Sequence, residues 1–283
     1  MPQITSSLCN AFARLARDTY GKLADSRHVG HQMLEETLTD INILELKRHH
    51  SDRIFCQTFS KSQEAINGAD WEWWLTDTTR SKWIGFRVQA KVINFRTDTF
   101  AHLHYKPKKS RSYQTTRLRN AAEADGLIPL YCLYSDKPPG SHWSSPLFAS
   151  ELYGCSLLRL KDVEQLRRKG KLNDYDQVIS LSAPWHVLVC IKSAESSGAN
   201  SLSLPEAVLS LFFAGYELRS HGFESSERED AVLSDGSPSI VRRHPPSYVS
   251  ALVENQPFAE LDKPLRGILV IVGDSLNDEK FTR

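Results

Sequence analysis

The sequence predicts an α/β protein in which helices flank a mixed central sheet. Three observations carry this reading. Apolar residues recur at helical spacing over residues 4–25 and 32–49. Residues 84–92 alternate strictly: Ile84, Phe86, Val88, Ala90 and Val92 fall on one side, and Gly85, Arg87, Gln89 and Lys91 on the other, the pattern of a strand with one apolar face. From residue 32 to residue 135 the elements follow the order helix, three strands, helix, strand.

Each element has its own warrant. The first helix puts Leu8, Phe12, Leu15, Ala16 and Leu23 on one side, and the second follows with Leu34, Leu38, Ile41 and Leu44 or Glu45. A short strand is expected at 54–59, then a polar turn or short helix at 60–67 and a turn at Asn67-Gly68. The stretch 70–75 reads as a strand because Trp71, Trp73 and Trp74 are strand formers, and all three are assigned to the core rather than to base stacking. After a basic loop, 113–125 reads as a helix ended by Gly126, and 128–134 as another strand. The turn-rich stretch 135–146, with Pro138-Pro139-Gly140, is the candidate boundary. It divides the chain into an N-terminal helix (1–31), a core (32–135) and a C-terminal α+β extension (136–283). In the extension, helices are expected at 161–169 and 205–218, an apolar strand or helix at 185–191, an exposed loop at 220–246 and a strand at 267–272.

The chain has 283 residues, 40% of them hydrophobic, with Lys+Arg 35 against Asp+Glu 34. That composition excludes intrinsic disorder and small disulfide scaffolds. The formal net charge of +1 conceals an uneven distribution. Residues 80–119 hold eleven basic residues and one acid, so this segment carries +10 and the remainder −9. A local surplus of that size can neutralise several phosphates if it folds onto one face. Cys9, Cys56, Cys132, Cys155 and Cys190 are widely spaced and form no CxxC pair, so neither a disulfide framework nor a cysteine zinc site is expected, and a cytoplasmic setting is. No apolar run approaches the about 20 residues of a membrane helix, so no membrane partner is expected.

Phosphodiester hydrolysis needs a hard cation with oxygen ligands to polarise the phosphate and acidify a water. Asp70 on one strand, followed by Gln89 and Lys91 on the polar side of the next, supplies such a set. Asp70 is the expected charged ligand, Gln89 an amide-oxygen ligand, and Lys91 the group that orients or helps deprotonate the water. The Ala90 backbone carbonyl completes the shell. Glu36, with Glu35 as its neighbouring competitor, holds a second metal or a metal-bound water from the preceding helix.

Glu36 on a helix, Gly68-Ala69-Asp70 entering a strand and Gln89-Ala90-Lys91 on the next strand together resemble the PD-(D/E)xK nuclease superfamily, nearest its Mrr-type D…QxK variant. The resemblance covers residues 32–135. It implies a restriction-endonuclease-like αβββαβ core, Mg2+-dependent cleavage of DNA (Mn2+ substituting), and a role in restriction or anti-phage defence, as a homodimer or with a partner protein. RNA is a second substrate class. Gln89 stands where most of the superfamily has an acid, and Glu72 on the same strand face as Asp70 is the candidate compensating ligand. Arg87, Lys106, Lys108, Lys109, Arg111, Tyr113, Gln114 and Arg117 are the expected nucleic-acid contacts.

A second [EQ]xK triplet, Glu45-Leu46-Lys47, falls in a helix, where positions two apart do not share a face. Near the C-terminus, Gly273-Asp274-Ser275-Leu276 looks like the opening motif of GDSL hydrolases, but no His follows it to complete a triad. The alternative function is a catalytically inactive nuclease-fold protein that binds nucleic acid or assembles a complex.

Overall fold

The computed structural model describes residues 7–59, 71–106, 112–138, 140, 148–190, 203–217, 240–257 and 265–273. Two helices open the chain, α1 (Leu8–His28) and α2 (Glu35–His49), followed by strands β1 (Ile54–Thr58), β2 (Trp71–Thr76) and β3 (Trp83–Val92). Then come α3 (Gln114–Ala124) and β4 (Ile128–Tyr134), completing the expected order of helix, three strands, helix, strand. The remainder adds β5 (Cys155–Arg159), α4 (Leu160–Arg168), α5 (Tyr175–Ser180), β6 (Ala183–Pro184), α6 (Leu204–Glu217), β7 (Val241–Arg242), α7 (Ser247–Val253) and β8 (Gly267–Val272).

Among the described residues one mixed sheet has the order β1-β8-β2-β3-β4-β5-β6, with β7 pairing with the start of β3. β2 and β3 are antiparallel, with Trp71 opposite Val88 and Glu72 opposite Arg87. β4 lies parallel to β3, reached through α3. The segment that the sequence sets apart after residue 135 is therefore built into the central sheet rather than appended to it. β8 sits between β1 and β2, antiparallel to one and parallel to the other. Its sequence, Gly-Ile-Leu-Val-Ile-Val, is apolar on both sides, and an interior position buries both.

Each face of the sheet carries a hydrophobic layer. On one side α1 and α2 bring Leu8, Phe12, Leu38 and Leu46 onto Trp71, Trp73, Phe86, Val88 and Ala90. On the other, α3, α4, α5 and α7 cover Trp74, Tyr131, Leu133, Ile268 and Val270. All three tryptophans of β2 are core residues, as expected.

The cysteine reading is corrected. Cys9 and Cys190 are joined in a disulfide, so the cysteines do not support a cytoplasmic setting. Spacing along the chain could not reveal this pair. Tertiary packing creates it: Trp185 donates its indole N–H to the Phe12 carbonyl at 2.7 Å, seating the 3-10 turn Trp185–Leu188 against α1. A second 3-10 turn, Ser150–Gly154, lies so close to α1 that any Cβ on Gly154 would collide with the Ala16 carbonyl.

β3 also departs from expectation. The alternation predicts a strand with one polar, half-exposed side, yet both sides are buried. Arg87 is fully buried and bridges Glu72, at 3.2 Å, and Asp125. Glu72 further accepts the Trp74 indole N–H at 2.7 Å and the Tyr248 hydroxyl at 2.5 Å. Burial, and then the Glu72 charge, raises the Tyr248 hydroxyl above the ordinary tyrosine range, so it remains a donor. One guanidinium faces two carboxylates here, so removing Arg87 strands the Glu72 charge in the core. We expect Arg87→Ala to lower unfolding free energy by about 3–5 kcal/mol, while the exposed Arg48→Ala stays within about 0.5 kcal/mol of wild type. Urea unfolding of the two variants measures both.

Candidate functional site

The chemistry-bearing residues gather at one edge of the sheet, where β2 and β8 begin and β3 ends. Gln89 and Lys91 are both largely buried, at 3% and 7% exposure. The Gln89 amide oxygen accepts a hydrogen bond from Gln114 Nε2 at 2.6 Å, so the first residue of α3 is tied directly to β3. Lys91 Nζ stands 3.9 Å from Glu35 Oε1, at the first residue of α2.

The entry of α2 is fixed by Gln32. Its amide nitrogen donates to the Ile93 carbonyl at 3.1 Å, and its oxygen accepts the Phe95 N–H at 3.2 Å, clamping the turn before α2 to the residues after β3. Thr39 shares a 2.8 Å hydrogen bond with Tyr134 at the end of β4, and Asn42 bonds Thr19 on α1. These contacts set which acid meets Lys91. It is Glu35; Glu36 turns to Arg266, 3.1 Å away, just before β8, and Asp40 pairs with the same guanidinium. The exposed acidic stripe at 36 and 40 thus has a cation of its own.

The remaining expected site residues divide clearly. Arg87, expected to contact nucleic acid, and Glu72, expected as a compensating ligand, pair with each other and have no solvent exposure. Ala90 lies in the stretch of β3 that pairs with β4, opposite Cys132. Tyr113, Gln114 and Arg117 open α3 and are half-buried, and Lys106 is exposed beside them. Asp70, Lys108, Lys109 and Arg111 lie outside the described residues.

Two residues outside the expected site complete this edge. The His104 ring stacks on Tyr113 with centroids 4.1 Å apart, and His104 Nδ1 lies 3.0 Å from Thr115 Oγ1. Arg167, from the end of α4, stands over the same Tyr113 ring. His104 belongs to a His102-x-His104 pair that, without a third spaced ligand, reads as incidental in the sequence, and Arg167 belongs to no motif. For Arg167 the signal was only the basic ending of a predicted helix, whose neighbour is set by tertiary packing.

Oxygen donors such as the Gln89 amide and the Glu35 carboxylate suit a hard cation. Among the described residues, however, no group of three or more His, Cys, Asp or Glu is arranged to hold a metal. A metal here requires a further carboxylate, and Asp70, immediately before Trp71 in the sequence, is the acid the sequence offers.

Burial, and then the Arg167 charge, lowers the basicity of His104. Burial likewise lowers His50 and His186. The unfolded chain therefore binds protons more readily than the native one at these positions. Their contribution to stability is complete above the ordinary imidazole value of about 6.5 and is lost as pH falls through the lower native values. We expect the melting temperature to be level between about pH 7 and 8 and to decline below about pH 6.5, as thermal melts across that range would record.

Among the described residues no helix is long and apolar enough to cross a membrane. No curated protein matches the chain. A family profile matches from residue 8 to residue 277, and the chain belongs to that family, the family of unknown function DUF6615.

Proposed function

We propose that this protein is a metal-dependent nuclease that hydrolyses phosphodiester bonds in DNA at the Gln89–Lys91 edge of its sheet. The observation that supports it best is the juxtaposition of Gln89 and Lys91, two residues apart on β3, with Glu35 from the start of α2 and Gln114 from the start of α3. The order of helix, three strands, helix and strand, with β3 antiparallel to β2 and parallel to β4, is compatible with the core that the D…QxK resemblance implies.

In this reading Asp70 and Gln89 would hold Mg2+, or Mn2+ in its place, and the cation would polarise the phosphate and acidify a water. Lys91 orients that water and carries positive charge next to the scissile group. Glu35 holds the Lys91 ammonium in place. Gln114 fixes the rotamer of Gln89, so that the amide oxygen is presented in one direction. Burial at this edge excludes bulk water, which strengthens each of these interactions.

A second reading has a specific observation in its favour. Gln89 replaces an acid, and its oxygen is already engaged by Gln114, as Lys91 is by Glu35. A protein with this fold that binds nucleic acid without cutting it would carry the same contacts.

Plasmid cleavage in Mg2+ or Mn2+ separates the two. We expect wild type to nick or linearise the plasmid, and Asp70→Ala and Lys91→Ala to lose activity by about a hundredfold or more. Glu35→Gln should slow cleavage, whereas Glu36→Gln should leave it within a few-fold of wild type. If all forms are equally inert while still binding DNA, the second reading stands. If all cleave equally, the assignment to this edge is wrong.

A further inference from the structure

The basic residues that close α4, Arg167, Arg168 and Lys169, lie outside the Arg80–Arg119 segment and are exposed. Arg119 on α3 pairs with Glu164 on α4. One turn further along α4, Arg167 Cζ stands 4.8 Å from the centre of the Tyr113 ring, at the start of α3. The two helices therefore lie side by side, with the end of α4 at the beginning of α3. Lys106 Nζ approaches the same ring at 5.6 Å.

Basic residues at the end of a helix ordinarily answer its dipole, and that account suffices for α4 taken alone. It does not explain their setting. The first turn of α3 contains no acid, and Tyr113, its N-cap residue, makes no side-chain cap bond. Helix N–H groups and at least two cations are thus gathered at one place. Among the described residues, neither Lys106 nor any of Arg167, Arg168 and Lys169 makes an ion pair with a carboxylate, whereas Lys171 just beyond them has Asp174. The charge is felt locally, since Arg167 helps keep His104 neutral. Positive charge concentrated without a counter-charge is what a polyanion offsets. With His104 stacked on it and cations over it, Tyr113 serves to space charges rather than to stack a base.

We infer that α4 forms part of the nucleic-acid interface: the phosphate backbone of duplex DNA passes from the Gln89–Lys91 edge, along Lys106 and Arg167, to the end of α4. This rests on the reading of that edge as a nucleic-acid site, to which Gln114, the neighbour of Tyr113, connects it through Gln89. The contacts are to phosphates, so binding is independent of sequence and strongly dependent on salt.

The test is fluorescence anisotropy of a labelled 25-base-pair duplex over a potassium chloride series, in EDTA so that no cleavage occurs. The full chain is compared with the Arg167→Gln/Arg168→Gln/Lys169→Gln triple variant. A second triple variant, Arg17→Gln/Lys22→Gln/Arg48→Gln, removes the same charge from exposed positions on α1 and α2. We expect the α4 variant to bind about tenfold or more weakly, with a log-log salt slope shallower by about 2–3, and the α1/α2 variant to stay within about twofold of wild type. Matching melting temperatures would exclude misfolding. The inference is overturned if wild type shows no salt-dependent duplex binding, if both triple variants lose affinity equally, or if the α4 variant keeps the wild-type slope. A single-stranded oligonucleotide bound much more tightly than the duplex would also overturn it. Absence of cleavage alongside binding that the α4 variant loses would remove the catalytic reading and leave this inference intact.

Discussion

Arg87, Gln89 and Lys91 stand on a buried face of the central strand, where an unpaired polar group costs several kcal/mol. The elements packed on and around that face are those that answer them. Arg87 takes Glu72 from β2 and Asp125 from the end of α3, Gln89 takes Gln114 from the start of α3, and Lys91 takes Glu35 from the start of α2. The position of α3 is thus defined at both ends by β3 side chains. Burial eases along the row toward the end of the strand. Arg87 is an internal fastening, and Lys91 is the member closest to solvent.

The same row explains why one edge of the sheet can hold reactive groups in fixed positions. α2 is anchored through Gln32, Thr39 and Asn42 to three different neighbours before Glu35 ever meets Lys91. A site whose supporting residues are themselves held by packing keeps its geometry without a bound ligand. Arg27 adds to this rigidity from α1, bonding Asp136, Asp98 and the Phe95 carbonyl, and so joins the loop after β3 to the end of β4.

Much of the architecture was legible because the period of the hydrophobic pattern survives in single elements. The strand at 128–134 and the strand at 267–272 are observed with the expected bounds, and the helices near 161 and 205 within a residue or so. What could not be read was partnership. Nothing local shows that β8 enters the middle of the sheet, that Cys9 meets Cys190, or that Arg167 meets Tyr113. Nor does alternation distinguish a polar face in water from one buried under helices, which is why Arg87 looked like a surface contact. At the site, Gln89 and Lys91 were found from their spacing on one strand. The choice between Glu35 and Glu36 depended on the orientation of α2, which Arg266 and Gln32 help decide.

The place of β8 has a consequence for how the protein comes into being. β1 and β2 are near in sequence but are not hydrogen-bonded to each other, because β8 separates them. Until the ribosome has delivered β8, the sheet cannot close and Arg266 is absent from Glu36 and Asp40. Pairings between such distant parts of a chain form late and slowly. The chain therefore folds as one unit: without β8, β1 has no partner strand among the described residues, β2 loses one of its two neighbours, and α2 loses the Arg266 guanidinium that holds Glu36 and Asp40.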